Sequence, residues 1–166
     1  MANPPSSFDL PRDVVIVMDG LKDPSLELLA WVLEHVITDA AWTITVLQVS
    51  PWLNIPLSYK KWSEDVMMNI HNLCRNRGIV PQVTTIMGYP LRLLVVERIA
   101  SLHPTLLAID RHHSKKDVAF YAAKVFCDIV AMNDHGEYYL IKARAREGAS
   151  AHYSFTEQPP GPTPQL

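Results

Sequence analysis

Short β-branched apolar runs alternate along this chain with longer stretches whose apolar residues recur at helical spacing. That alternation constrains the fold more than any other feature. The first run, Asp13-Val14-Val15-Ile16-Val17-Met18, is bounded by Asp19-Gly20 and reads as a strand buried on both faces. Asp23-Pro24 then predicts a helix start, with Asp as cap and Pro at the first helical position. Its stripe is Leu26, Leu29, Ala30, Leu33, Val36 and Ile37. Trp42 to Val49 is a second strand, and Pro51 and Pro56 mark a loop. A second helix is predicted from Ser58 to Arg77, with Trp62, Val66, Ile70, Leu73 and Cys74 on one face. Gly78 stops it, because glycine accepts a left-handed backbone without penalty.

Val80 to Met87 is a third strand, Gly88-Tyr89-Pro90 a turn, and Leu91 to Leu102 a third helix with Leu94, Val95, Arg98, Ile99 and Leu102 in register. His103-Pro104 ends that helix, since a residue before proline avoids the helical region. Leu106 to Ile109 is a fourth strand ending at Asp110-Arg111. Ser114 caps a fourth helix running through Phe126, with Asp117 in capping-box position. Ile129 to Met132 is a fifth strand, and Tyr138 to Ala143 a sixth, antiparallel to the fifth across the turn Asn133 to Gly136. The order β-α-β-α-β-α-β-α-β-β implies an α/β fold, a three-layer α/β/α sandwich around a mainly parallel sheet. Residues 1–11 and 147–166 are polar and proline-rich and read as disordered tails, leaving 12–146 as one domain.

Glycine placement excludes whole function classes. The six glycines are scattered, and none lies between Gly88 and Gly136. A P-loop or GxGxxG turn needs closely spaced glycines where backbone meets phosphate, so neither is present. The formal net charge of −2 gives no field to hold nucleic acid or an anionic membrane. Cys74 and Cys127 each sit in apolar sequence and read as buried thiols of a reducing compartment. The N-terminus lacks the basic start and apolar run of a signal peptide, and no apolar run approaches about 18 residues. The expected location is the cytoplasm or nucleus.

Ligands of such sheets bind outside the carboxyl ends of the strands. Those ends carry Asp19 and Gly20, Val49 to Pro51, Gly88, and Asp110 to His113. Three of these ends resemble the universal stress protein family, the adenine-nucleotide α-hydrolase-like superfamily. VVIVMD matches its first strand closed by aspartate. TITVLQV is similar to its second strand. Gly88-Tyr89-Pro90 resembles its Gly-x-Pro turn. The segment LLAIDRHHSKKDVAFYAAKVFCDIVAMN is similar to stress-protein-like domains of plant receptor-like and pseudokinase proteins, through Asp110, Arg111, Lys115, Lys116, Cys127, Ile129 and Val130. The resemblance implies a parallel sheet in order 3-2-1-4-5 with an added antiparallel sixth strand. It also implies a role in stress response or signalling and a homodimer through the edge formed by strands five and six. A signalling protein or kinase is a further implied partner. ATP-binding relatives cradle phosphate with a Gly-x-x-Gly stretch followed by Gly-Ser or Gly-Thr. The matching region here, Asp110 to Asp128, has no glycine.

The resemblance therefore carries over Asp19, Val49 and Gly88 as cofactor-binding positions. Asp19 can meet a ribose or adenine edge, or simply close a strand end before glycine. Val49 would act through its backbone, and Gly88 equally serves the turn. Arg111, His112, His113, Lys115 and Lys116 form a basic cluster. Of these, Arg111, His112, Lys115 and Lys116 are candidates to hold phosphate by charge, against the reading of a solvated loop. The adjacent histidines lack any zinc spacing partner, so no metal is expected. Ser50 and Ser114 lack a nucleophile elbow, and no catalytic constellation stands out. Trp52, Tyr59 and Trp62 either roof the core or anchor a partner. Lys142, Arg144 and Arg146 either flank a recruiting edge or blunt it. The expected function is a non-catalytic stress-response or signalling module without a cofactor, acting through protein contacts. One alternative is a sensor of ATP or AMP using Asp19 and the basic loop. The other is a small nucleotide hydrolase using Asp19 and Asp110.

Overall fold

Arg12–Asp19 forms β1, whose middle five residues, Val14 to Met18, are fully buried. A strand apolar on both faces must be covered on both, and it lies at the centre of the sheet. The computed structural model describes residues 12–51 and 62–142. The expected tails, the domain limit at 146, Trp52, Tyr59, the helix start at Ser58, Arg144 and Arg146 lie outside those residues. The elements after β1 are α1 (Leu26–His35), β2 (Trp42–Pro51), α2 (Glu64–Arg75), β3 (Gln82–Gly88) and α3 (Leu91–Leu102). Then come β4 (Leu106–Ile109), α4 (Lys115–Lys124), β5 (Asp128–Met132) and β6 (Tyr138–Ile141).

The sheet order is β3-β2-β1-β4-β5-β6, parallel throughout except for the antiparallel β5–β6 pair. The expected α/β class, strand order and added sixth strand are all found. Alternation of side chains along the strands splits the core in two. Val14, Ile16 and Met18 pack with Ile44, Val46 and Leu106 under α1 and α2. Val15 and Val17 pack with Leu47, Val49, Leu107 and Ile109 under α3 and α4. Register places Asp19 beside Val49 and Val49 beside Ile86, so β2 and β3 run two residues past the end of β1, to Pro51 and Gly88.

Several boundaries differ from the sequence expectation. Helix α1 begins at Leu26 with Ser25 as its N-cap, not at Asp23-Pro24. Pro24 instead belongs to a turn, its carbonyl accepting the Leu26 N–H at 2.9 Å. Of the expected stripe, Leu29, Leu33, Val36 and Ile37 are buried and Leu26 packs against the core; Ala30 is exposed, and Leu28, Trp31 and Val32 widen the packed face. Helix α2 begins at Glu64, because the Ser63 hydroxyl accepts the Val66 N–H at 3.2 Å and caps it. Trp62 precedes the helix, buried, its Nε1–H donating to the Lys22 carbonyl at 3.0 Å. Gly78 follows α2 at φ +74°, as its expected stop role requires. Helix α4 stops at Lys124, not Phe126, because Val125 turns extended to feed β5, and Phe126 is left 71% exposed. Strand β6 ends at Ile141, short of Ala143.

Cys74 and Cys127 are buried and not in a disulfide, and burial pushes the Cys74 thiol up to about 11. No helix among the described residues is long and apolar enough to cross a membrane.

Candidate functional site

The carboxyl ends of β1, β2 and β3 border a cleft of about 500 Å³ on the α3/α4 side of the sheet. Asp19, Leu21 and Val49 form the floor. Gly88 to Arg92 form one wall, and His112, His113, Asp117 and Tyr121 the other. Among the sequence candidates, Asp19, Val49, Gly88 and His112 are thus brought together. Arg111, Lys115 and Lys116 are not.

Gly20 sets the floor. Its N–H donates to the Val49 carbonyl at 2.7 Å, and a Cβ there would meet Ser50 Oγ at 2.6 Å and Gln48 Cγ at 2.7 Å. Only glycine permits the two strand ends to approach this closely. The same bond uses one lone pair of the backbone group that the sequence reading assigns to Val49. Asp19 turns its Oδ1 back to accept the Leu21 N–H at 2.8 Å. Its Oδ2 has no hydrogen-bond partner among the described residues.

Asp110 organises the rim. It is 1% exposed, and its two oxygens accept three N–H groups. Oδ2 accepts the Asp19 backbone N–H at 3.0 Å. Oδ1 accepts the His112 backbone N–H at 3.1 Å and the His113 Nδ1–H at 2.7 Å. A buried carboxylate needs donors of this kind to replace lost water. Asp110 therefore ties the end of β1 to the start of the β4–α4 loop.

Past Asp110, successive side chains diverge. Arg111 leaves the cleft altogether. Its Nη2 bonds Glu27 Oε2 at 3.0 Å, and its Nε donates to Met132 Sδ at 3.4 Å, on the α1 side of the sheet. His113 faces the cleft with a side chain only 7% exposed, its ring edge-on to Tyr121 at 6.2 Å. Lys115 and Lys116 point into solvent from the first turn of α4. The Ser114 hydroxyl caps one N–H of the first turn, that of Asp117, at 3.1 Å. Asp117 presents a carboxylate to the cleft, where Arg92 Nε binds it at 2.7 Å. Burial beside Asp117, opposed by Arg92, pushes the Tyr121 phenol up to about 12.

Sequence reasoning did not single out Arg92, Asp117 or Tyr121 for the cleft, and it took His113 only as one of a basic cluster. Asp117 carried a signal as a capping-box residue, which places it at the mouth of α4. Arg92 carried one as the second residue of the helix after the Gly88-Tyr89-Pro90 turn. Their pairing depends on how α3 packs against α4, which local spacing does not encode. No group of three or more His, Cys, Asp or Glu side chains among the described residues is arranged to hold a metal ion.

No protein-family model matches the sequence, and no curated protein matches it. Solved structures do. A universal stress protein family protein from Arabidopsis thaliana with AMP bound superposes with a TM-score of 0.51 at 15% identity. That match covers 74% of this chain and 92% of that one. A universal stress protein in complex with cAMP matches at TM-score 0.51 and 15% identity, over 74% of this chain and 96% of the other. The sheet order, the antiparallel edge pair and these superpositions agree: the chain has the universal stress protein fold.

Proposed function

We propose that this chain is a non-catalytic module of the universal stress protein fold that acts through protein contacts and has given up ATP-phosphate capture. The observation that carries the reading is the mouth of α4. A helix N-terminus takes an anion when its free N–H groups and the dipole face it. Here the Ser114 hydroxyl already takes one N–H, a carboxylate stands in the cleft at Asp117, and the charge-based replacements Arg111, Lys115 and Lys116 are directed elsewhere. The residues present do not fit a triphosphate. Asp110, holding three N–H groups, likewise gives no support to a hydrolase built on Asp19 and Asp110.

The outer strand β6, at the end of the sheet among the described residues, offers the edge for a second copy. Light scattering at high micromolar concentration is expected to give the mass of two chains, and a monomer mass removes the dimer. For the phosphate claim, calorimetry with ATP and adenosine is expected to show ATP binding no more tightly than adenosine. Tighter ATP binding that disappears in the Lys115→Ala/Lys116→Ala pair overturns the reading. Release of ADP or AMP from ATP, abolished in Asp110→Asn, overturns its non-catalytic part.

A second reading, an adenine-ligand sensor, is supported by the cleft itself and by the two solved relatives in fold that hold AMP and cAMP. It is compatible with loss of phosphate capture if only the nucleoside part is read.

A further inference from the structure

We propose that His113, oriented by Asp110, is the residue with which the cleft reads its occupant. In this proposal its Nε2 accepts a hydrogen bond from a ligand hydroxyl, and the occupant is an uncharged nucleoside. The proposal rests on the sensor reading and narrows it.

Asp110 orients the His113 ring. An ionised carboxylate only accepts, and this one is 1% exposed with an imidazole nitrogen 2.7 Å away. The His113 Nδ1 therefore carries the proton, and in the neutral ring the lone pair is left on Nε2. The His113 side chain is 7% exposed and lines the cleft, and it makes no other hydrogen bond among the described residues. An acceptor on a nearly buried ring, held in place by Asp110 and lining a cleft, is set to take a donor from the ligand.

Asp19 supplies a second acceptor of the same kind. Its backbone N–H binds the other oxygen of Asp110, so both groups are fixed by one carboxylate. Its Oδ1 is occupied by Leu21, and its Oδ2 is not. Two acceptors lining one cleft match a ligand with two hydroxyl donors, such as a ribose. They do not match a phosphate, which also only accepts hydrogen bonds and carries the same charge sign as Asp19 and Asp117. The cation nearest to hand, Arg92, is already paired with Asp117.

The test is calorimetry on the full chain with adenosine, 2′,3′-dideoxyadenosine and AMP, on the wild type and His113→Asn. Asparagine can keep an N–H donor toward Asp110 while removing Nε2. Adenosine is expected to bind saturably and AMP no more tightly. His113→Asn is expected to weaken adenosine binding about tenfold, the scale of one hydrogen bond, and dideoxyadenosine, which lacks both donors, is expected to bind more weakly still. Dideoxyadenosine binding as tightly as adenosine overturns the proposal, and that comparison needs no variant to fold. A His113→Asn protein with native circular dichroism and unchanged adenosine affinity also overturns it. Absence of any adenosine binding at millimolar concentration removes both this proposal and the sensor reading, leaving the protein-contact reading standing. AMP binding tighter than adenosine sinks the uncharged occupant and the loss of phosphate capture together. Long-range ¹⁵N NMR gives an independent readout, in which the His113 Nε2 is expected as the unprotonated nitrogen and moves when adenosine is added. A protonated Nε2 in the free protein at neutral pH counts against the proposal.

Discussion

The β4–α4 corner sends consecutive side chains to opposite sides of the sheet, and the two sides are built from different chemistry. On the α1 side, Arg111 is drawn into a clamp. It pairs with Glu27, whose backbone carbonyl accepts the Tyr138 hydroxyl at 3.3 Å. Trp31 is stacked between His35 and Tyr138, with ring centroids at 4.8 and 4.7 Å. On the α3/α4 side, His113 and Asp19 stand over a cleft with acceptors to spare. The cation nearest the end of β4, Arg111, is tied to Glu27 on α1 and Met132 on β5, while the cleft keeps Asp19 and His113. A basic run in sequence is therefore not a basic site, because neighbouring residues at a strand end serve different faces.

The comparison can be broken most forcefully on the clamp side. Trp31→Ala removes a ring buried between α1 and β6, and is expected to cost about 3–5 kcal/mol in urea unfolding. A loss below about 1 kcal/mol would show that the stack is an ornament of the surface. On the cleft side, Asp110→Ala strands three N–H groups, and we expect a loss of about 3 kcal/mol. An Asp110→Asn variant should recover part of that loss, since its amide oxygen still accepts from two of the donors.

Alkaline unfolding samples both sides at once. Burial raises the phenols of Tyr121 and Tyr138 to about 12, from an ordinary value of 10. A folded-state value above the unfolded one means their contribution is fully present below pH 10 and is lost as pH rises toward 12. Tyr121→Phe and Tyr138→Phe should each flatten the fall of stability across that window. An unchanged slope in the double variant would contradict it. Arg111→Ala should have a smaller effect, about 0.5–1 kcal/mol, because its partner Glu27 is largely exposed.

The smallest expected effect lies at the other end of the sheet. Burial raises the Asp13 carboxyl above its ordinary value, opposed by a 2.8 Å hydrogen bond from Thr43. The ionised form is therefore disfavoured in the folded state, and stability falls as pH rises through the raised value. Asp13→Asn should then stabilise the protein at neutral pH by a few tenths of a kcal/mol, visible as a small rise in melting temperature.

Much of this fold was legible in sequence because strand burial and helix periodicity are local. The run from Val14 to Met18 announced a central strand, and Ser114 with Asp117 announced the start of α4, which is where both are found. Boundaries were less legible where two local signals competed. Asp23-Pro24 and Ser25 both offer a helix start, and the turn at Pro24 decided for Ser25. The site was legible as a location but not as an arrangement. Asp19, Val49, Gly88 and His112 follow from strand ends alone. The exit of Arg111 toward Glu27, 84 residues away in sequence, depends on tertiary packing, as does the pairing of Arg92 with Asp117.

The division of labour at this corner is tested most directly by one calorimetric ratio, the dissociation constant of ATP over that of adenosine, measured in the wild type and in Arg111→Ala. A ratio of one or more is predicted in both proteins, because the cleft's cation, Arg92, is paired with Asp117 and Arg111 is fastened to Glu27. A ratio well below one in the wild type that returns to one in Arg111→Ala would contradict it, placing Arg111 on the ligand and not in the clamp.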